Sequence, residues 1–290
     1  MLEHNAILKP HVNGITVERS LPRALCQGKT RSRANIMSTT TAAVRVDGLT
    51  KTFETGAAIQ DLSFEIQEKE FVTLVGPSGC GKSTTLRMIS GLMRPTEGTV
   101  TLRGKKVDGP IGDVGMVFQS PVLLPWRTTI ANVLFTAEMR GKNPGEYRQR
   151  ALELVRLASL EGFEARYPYE LSGGMQQRVA ICRALLLNPS LLLMDEPFGA
   201  LDIMTREKMG FELQKIWSAN KTTVLFVTHS ITEAVLLSDV IVVMTARPGK
   251  AKAVIPVDLP RPRDVKTLRD PRFVELAATV RDNIEAQWVE

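Results

Sequence analysis

The segment 76–83, which reads G-P-S-G-C-G-K-S, constrains the fold of this chain more than any other. It matches the phosphate-binding pattern G-x-x-x-x-G-K-[ST] at every fixed position, between a predicted strand at 71–75 and a predicted helix that begins near Lys82. Its three glycines let the backbone approach a ligand, so that N–H groups and the positive end of the helix dipole converge on phosphate. Lys82 can reach the β- and γ-phosphates, and the hydroxyl of Ser83 can bind Mg²⁺. The pattern therefore predicts a site for a nucleoside triphosphate.

The composition limits the possible class of protein. The 290 residues are 43% apolar, which is enough for a sizeable core in one or two domains. The most apolar stretch, 224–244, is interrupted by His229, Glu233 and Asp239, so no run reaches the length of a membrane span. The three cysteines have neither zinc-site nor disulfide spacing, which fits a reducing cytoplasm. We expect a soluble or peripheral protein.

The net charge of +6 is concentrated at the N-terminus. Residues 1–43 hold six Lys or Arg against two Glu and so account for +4, which leaves +2 for the rest of the chain. We therefore expect no nucleic-acid partner for the body. The same 43 residues show no apolar periodicity and are predicted to be disordered, with a targeting role as an alternative.

Apolar runs predict the sheets. Continuous runs are typical of parallel strands buried on both faces, and three of them follow the middle of the chain, at 191–194, 223–227 and 240–244. Alternating runs indicate antiparallel strands beside the nucleotide-binding core, and three occur earlier, at 44–46, 62–66 and 99–102. A further strand is predicted at 114–118, directly before Gln119.

Helical periodicity from 120 to about 170 predicts a helical insert, in which Pro144 suits a helix start. We divide the chain into an extension at 1–43, a body at 44–245 whose helical part spans about 120–178, and a tail at 246–290. The tail is first Pro-rich and then predicts a strand and a helix, the latter over 271–288. This helix could pack on the body, dimerise or regulate.

Further polar residues stand next to these elements. A helix is predicted to begin after Ser172, which can cap it, and the N–H groups of Gly173 and Gly174 are left bare. This helix start is a second anion-binding end, which makes sense if it serves a nucleotide held by another copy. Asp195 and Glu196 end a buried strand, where the first can hold Mg²⁺ through water and the second can deprotonate an attacking water.

Two single residues have alternative interpretations. His229 follows another buried strand and could touch the γ-phosphate, although a lone histidine there is also consistent with a structural role. Phe53 could stack on adenine or belong to the core.

Taken in order, these motifs resemble the ATP-binding cassette family, the ATPase subunits of transporters, over about residues 44–245. The resemblance identifies residues 76–83 as the Walker A loop, Gln119 as the Q-loop glutamine, 171–178 as the signature, 191–195 as Walker B, Glu196 as the catalytic glutamate, Asp202 as part of the D-loop, His229 as the switch histidine and Phe53 as the A-loop aromatic. The signature has Met175 in place of the usual glutamine, and the D-loop reads G-A-L-D instead of S-A-L-D.

The resemblance also implies roles for individual residues, with ATP and Mg²⁺ as the cofactors. The expected catalytic residues are Glu196, His229, Lys82 and Gln119. The expected metal contacts are Ser83, Gln119 and Asp195. The expected nucleotide contacts are Phe53, Gly76, Pro77, Ser78, Gly79, Cys80, Gly81, Lys82, Ser83, Thr84, Ser172, Gly173, Gly174 and Asp202.

The fold class that the resemblance implies is α/β, with a P-loop NTPase (RecA-like) core around a parallel sheet, an antiparallel β subdomain and an inserted α-helical subdomain. It implies a head-to-tail homodimer with two ATP molecules at the interface. The expected partners are transmembrane permease subunits and, indirectly, a periplasmic or extracellular solute-binding protein. The expected location is peripheral, on the cytoplasmic face of the bacterial inner membrane.

A single cassette without a fused membrane span favours the separate ATPase of a bacterial importer. The alternative is a soluble cassette ATPase of DNA repair or translation, but those typically carry two cassettes or long coiled-coil insertions. The run L-L-P-W-R at 123–127 and the tail motif L-P-R-P-R-D at 259–264 resemble the nitrate/sulfonate/taurine branch of importers. The apolar segment 121–126 lies where the family's permease docks, and it either contacts that permease or packs the helical insert.

Overall fold

The computed structural model describes residues 42–285, and the fold within this range is built from two sheets and a group of helices. The predicted disorder of 1–43 lies outside the described residues except at Ala42 and Ala43, which are buried. The N–H of Arg103 donates to the carbonyl of Ala43 at 2.8 Å, so the folded part of the chain already includes these two alanines.

The strands of the described residues are β1 (Val44–Phe53), β2 (Gly56–Ile66), β3 (Phe71–Val75), β4 (Glu97–Leu102), β5 (Lys105–Lys106), β6 (Val114–Val117), β7 (Leu191–Asp195), β8 (Thr223–Thr228), β9 (Val240–Met244) and β10 (Ala251–Pro256). The α-helices are α1 (Lys82–Ile89), α2 (Thr129–Met139), α3 (Pro144–Leu157), α4 (Gly173–Leu185), α5 (Ile203–Asn220), α6 (Ile231–Leu237) and α7 (Pro271–Glu285). Short 3₁₀ helices lie at Pro168–Glu170 and Thr267–Arg269.

The larger sheet has the strand order β10-β9-β3-β8-β7-β6 and is parallel from β9 to β6. Its central strands are buried on both faces, which explains their continuous apolar sequences. In β3, Phe71 and Val75 belong to one core cluster, whereas Val72 and Leu74 belong to the cluster on the opposite face. Because parallel strands all end at one edge, the residues that follow β3, β6, β7 and β8 meet there.

The smaller sheet is antiparallel, with the order β2-β1-β4-β5. The expected antiparallel strands are therefore present. Between β6 and β7 the chain forms α2, α3 and α4, and α3 begins at Pro144 behind the cap Asn143. The predicted strand at 114–118 is one residue shorter in the structure, which ends β6 at Val117.

The tail is part of the main core. Strand β10 pairs antiparallel with β9 and extends the larger sheet. Helix α7 packs on α6, with Phe273 and Val280 buried in the same core cluster as the sheet. The predicted helix over 271–288 is confirmed up to Glu285, and its last three residues lie outside the described range. Within residues 42–285, none of the helices combines the length and the apolarity that crossing a membrane would require.

Candidate functional site

The phosphate-binding loop connects β3 to α1 and is shaped by close backbone packing. Gly81 caps α1 with φ 97°, in the left-handed region that favours glycine. A Cβ on Gly81 would lie 2.5 Å from Cγ1 of Ile59, and one on Gly76 would lie 2.8 Å from the carbonyl oxygen of Met244. A Cβ on Gly79 would meet nothing within 4 Å. Gly76 is thus required by space, Gly79 by its backbone conformation (φ 78°), and Gly81 by both.

Lys82 lies beneath the loop and is only 5% exposed. Its Nζ donates to the carbonyls of Gly76 and Pro77 at 2.8 and 3.0 Å, so the cation holds the loop in a curve. The Sγ of Cys80 is buried 3.9 Å from the same Nζ, and burial raises the pKa of the Cys80 thiol. Among the predicted nucleotide contacts, Cys80 can therefore offer only its backbone, because its side chain points into the core.

A cavity of about 410 Å³ lies over this loop. Its lining includes many of the predicted residues, namely Phe53, Ser78, Gly79, Gly81, Lys82, Ser83, Thr84 and Glu196. Phe53 ends β1, and its ring is 39% exposed, so that a planar base could stack on it. The lining of the cavity thus combines an exposed aromatic ring with a phosphate-binding loop.

Three further lining residues were not anticipated, namely Thr55, Ala58 and Arg247. Arg247 follows β9, and its guanidinium donates to the carbonyl of Ala57 and to Oγ1 of Thr55, both at 3.1 Å. These contacts bring the tail to the rim of the cavity. The sequence carries no local signal for them, because they join residues 190 and 192 positions apart.

Ser83 and Asp195 meet at the end of the parallel strands. The Ser83 hydroxyl donates to Oδ1 of Asp195 at 2.8 Å. Burial raises the pKa of the Asp195 carboxyl, and the neighbouring charge of Glu196 adds to the rise. A cation beside these two oxygens would offset the cost of the buried charge, and hydroxyl and carboxylate oxygens are the ligands that Mg²⁺ prefers. The two side chains therefore fit a magnesium ion.

Glu196 and His229 also face each other. They follow the neighbouring strands β7 and β8, and Nδ1 of His229 lies 3.3 Å from Oε2 of Glu196. Glu196 has φ 44°, and its N–H donates to the carbonyl of Val227 at 2.9 Å, which directs its side chain toward the cavity. A carboxylate that lines the cavity and contacts an imidazole is suited to accept a proton from water.

Gln119 lies two residues beyond β6 and is exposed. A Cβ on Gly199 would come within 3.1 Å of its Nε2, so the Gln119 amide lies beside the loop that precedes α5. The adjoining carbonyl of Phe118 accepts a hydrogen bond from Nε2 of Gln177 at 3.1 Å. This bond ties the Gln119 segment to α4.

The predicted signature and D-loop residues do not line the cavity within this chain. Ser172 caps α4 and accepts from the N–H of Met175 at 3.4 Å, while Asp202 caps α5 and accepts from the N–H of Thr205 at 3.0 Å. Ser172 and Gly173 are exposed, whereas Gly174 is buried, with room for only a small residue against Thr205. The start of α4 is thus a second, outward-facing helix N-terminus.

The family model described as ABC transporter matches residues 59–199. Over 225 residues the chain is 53% identical to an uncharacterized ABC transporter ATP-binding protein of Methanocaldococcus jannaschii, with 76% of this chain and 84% of that protein covered. It is 46% identical to the taurine import ATP-binding protein TauB of Rhizobium johnstonii (77% and 87% covered). It is 44% identical to the aliphatic sulfonates import ATP-binding protein SsuB of Bacillus cereus (76% and 88% covered).

Solved structures agree with these relatives. A dimeric ATP-binding cassette in a post-hydrolysis state bound to ADP and Pi matches with a TM-score of 0.64 and 36% identity, covering 75% of this chain and all of that one. CbiO1 from Clostridium perfringens, part of the ABC transporter complex cbiONQ, matches with a TM-score of 0.67 and 25% identity, covering 74% and 88%. The predicted fold class and family resemblance are confirmed, and the DNA-repair or translation alternative finds no support. The chain therefore belongs to the ABC transporter family, as one of the ATP-binding subunits that hydrolyse ATP to power transport.

Proposed function

We propose that this chain powers the import of taurine or a related aliphatic sulfonate through a separate permease. The observation that carries the proposal is the match to taurine and aliphatic sulfonate import proteins, with identities of 44–46% and about three quarters of the chain covered. The chain's own contribution is ATP hydrolysis, the activity of the ATP-binding subunits in this family. Substrate choice belongs to the permease and a solute-binding protein.

The described residues support a division of roles in hydrolysis. The loop N–H groups and Lys82 would hold the phosphates, and Phe53 would stack on the adenine. Glu196 would accept the proton of the water that attacks the γ-phosphate, while His229 keeps the Glu196 carboxylate oriented. When bound, Mg²⁺ would neutralise phosphate charge, held by Ser83 and, through water, by Asp195, with Gln119 as a further ligand.

The outward-facing start of α4 supports a homodimer. Its bare N–H groups form an anion-binding end that does not reach the cavity of its own chain. A second copy placed head to tail would bring Ser172, Gly173 and Gly174 over the nucleotide, together with Asp202. One of the matched cassettes is described as dimeric, which supports a dimer for this chain as well.

An exposed apolar surface supports docking to permease subunits at the cytoplasmic face of the membrane. Trp126, Val122 and Tyr169 are 71%, 58% and 76% exposed. Val122 and Trp126 belong to the apolar segment 121–126, and a contiguous exposed apolar patch is typical of an interaction site. Arg183 on α4 donates to the carbonyls of Val122 and Pro121 at 2.7 and 2.9 Å, which keeps this segment in place.

Uptake in the native host tests the substrate. A strain that lacks this chain should lose uptake of labelled taurine or of a short alkanesulfonate, and the wild-type chain should restore it. Affinity purification of the tagged chain from gently solubilised membranes should recover a multi-span permease. Unchanged uptake of both sulfonates would refute the substrate, whereas recovery only with soluble partners would refute the transport role.

A Glu196→Gln variant tests the role of the carboxylate. The amide keeps the shape of the side chain but cannot accept the proton, so we expect ATP binding to persist and kcat to fall by about 10²–10⁴. Equilibrium binding and single-turnover hydrolysis measure the two quantities separately. A variant that turns over at the wild-type rate would exclude Glu196 as the general base. The conservative Glu207→Gln on α5, away from the cavity lining, is the matched control.

A further inference from the structure

Two arginines of the tail bind the C-terminal end of α6. The guanidinium of Arg263 donates through Nη1 to the carbonyls of Val235, Leu236 and Ser238 at 3.0, 3.1 and 2.7 Å. Arg261 donates through Nη2 to the carbonyl of Leu237 at 2.5 Å. The last carbonyls of an α-helix have no partner within the helix. Here four consecutive carbonyls, 235–238, are all satisfied by guanidinium groups, and their positive charges also suit the negative end of the helix dipole.

The same tail segment is fastened to α5. The side-chain amide of Gln214 pairs with the main chain of Arg263 in both directions, accepting from its N–H at 2.8 Å and donating to its carbonyl at 3.1 Å. The guanidinium of Arg261 lies 4.3 Å from the ring centre of Trp217. Residues 261–263 therefore lie between α5 and α6 and contact both helices.

The opposite ends of these two helices carry residues of the proposed hydrolysis site. Helix α6 begins behind its cap Ser230, directly after His229, and α5 begins behind its cap Asp202. Helix α6 has only seven residues and spans about 10 Å, so its C-terminal end is two turns of hydrogen-bonded backbone away from His229. A displacement at its C-terminal end would therefore change the 3.3 Å contact of His229 with Glu196. Reaction rates are sensitive to such shifts, since about 1 Å of misplacement can cost about 10²-fold.

The charge of Arg263 is maintained although the side chain is 3% exposed. Within residues 42–285, the acceptors of its guanidinium are all main-chain carbonyls, which include those of Leu259 and Val257. Burial, with a smaller contribution from Arg261, lowers the pKa of Arg263 to about 10, which is still well above neutral pH. Arg261 in turn forms an ion pair with Asp239 at 2.8 Å. A lysine could not reproduce this arrangement, because it lacks the planar fork of donors.

We propose that Arg261 and Arg263 are positioning residues for ATP hydrolysis, which hold α6 so that His229 stays against Glu196. These two arginines, which do not line the cavity, thereby influence kcat through α6 alone. This inference rests on the proposed role of His229 in hydrolysis.

The test uses the full chain with Arg263→Lys and Arg261→Lys, and with Arg272→Lys as the matched control. Arg272 lies on α7, is exposed and pairs only with Asp270 among the described contacts of its side chain. We expect kcat to fall about tenfold or more in the two tail variants, with the KM for ATP within about twofold of wild type. The control should keep both values.

A second measurement reports on position directly. The chain has three histidines, so its imidazole C–H signals can be resolved by NMR, and His229→Gln identifies the signal of His229. We expect this signal to shift or broaden in the two tail variants and to remain unchanged in Arg272→Lys. A general loss of stability without displacement of α6 would lower the melting temperature but leave the signal of His229 in the folded protein unchanged.

The outcomes separate the inference from the proposed function. A folded Arg263→Lys variant with wild-type kcat, or with lower kcat and an unchanged His229 signal, overturns the positioning role. If Arg263→Lys does not fold, the same two readouts on Arg261→Lys decide. If His229→Gln keeps the wild-type kcat, the proposed role of His229 fails, and the NMR shift alone then decides whether the arginines position its side chain.

Discussion

Gly81 offers the sharpest test of how the phosphate-binding loop is built. In Gly81→Ala, the residue would keep a φ of 97° and place its Cβ 2.5 Å from Cγ1 of Ile59 and 3.2 Å from the carbonyl of Ala58. The left-handed conformation costs an L-residue about 1–2 kcal/mol. Forcing a methyl group into a packed site costs about 1–3 kcal/mol more. We therefore expect the free energy of unfolding to fall by about 2–5 kcal/mol.

Gly79→Ala is the matched control in the same loop. Gly79 has φ 78°, but its Cβ would meet nothing within 4 Å, so only the conformational cost of about 1–2 kcal/mol applies. Urea unfolding without nucleotide, followed by circular dichroism, measures both variants. An Ile59→Ala substitution should relieve part of the Gly81→Ala penalty, which a double-mutant cycle would report as coupling. Equal losses for the two glycines, or no coupling with Ile59, would refute the steric account of this loop.

Three further predictions concern charge, reactivity and coupling. Burial raises the pKa of the Asp195 carboxyl, so its ionisation destabilises the folded chain at pH values above this raised pKa, whereas below the pKa of the unfolded chain the carboxyl is protonated in both states and the cost is absent. Asp195→Asn should therefore melt at a higher temperature than wild type at pH 7, and the difference in melting temperature should close as the pH falls through the carboxyl range. A difference that does not depend on pH would contradict this. Cys80 is buried and its thiol pKa is raised, so thiol reagents should label Cys80 at least tenfold more slowly in the native protein than in the unfolded chain. A mass-spectrometric time course measures both rates, and equal rates would place the thiol at the surface. Trp126→Ala should reduce sulfonate uptake. The ATPase rate and the melting temperature of the isolated chain should stay unchanged, because Trp126 is 71% exposed. Undiminished uptake would remove Trp126 from the docking surface.

Much of the architecture could be predicted because it depends on local patterns. Continuous apolar runs identified β7, β8 and β9 as parallel strands, since only strands covered on both faces need no polar alternation. The order of strands in the sheet could not be predicted from these runs. The tail strand β10 pairs with β9 at the edge of the sheet. This pairing depends on how β10 aligns with β9, and the sequence of β10 alone does not specify it.

The site residues divide in the same way. Within the loop, Lys82 and the backbone N–H groups are brought together by one turn of the chain, so their spacing alone predicts a phosphate site. The contact of Ser83 with Asp195 joins residues 112 positions apart, and that of Glu196 with His229 joins residues 33 apart. Sequence could name these side chains as candidates, but their distances follow from the common edge at which parallel strands end.

The sequence by itself determined the chemistry of this protein, because a glycine-rich loop between a buried strand and a helix creates a phosphate site wherever it folds. Only the tertiary structure decided what surrounds that site. Arg247 reaches the rim of the cavity and donates to the carbonyl of Ala57, which lies 190 positions earlier in the chain. Arg263, in the tail, donates to carbonyls at the C-terminal end of α6. Both contacts are made by long side chains to main-chain carbonyls, and any residue can supply a carbonyl. No residue pattern marks such a partner, so these contacts emerge only when the chain is folded.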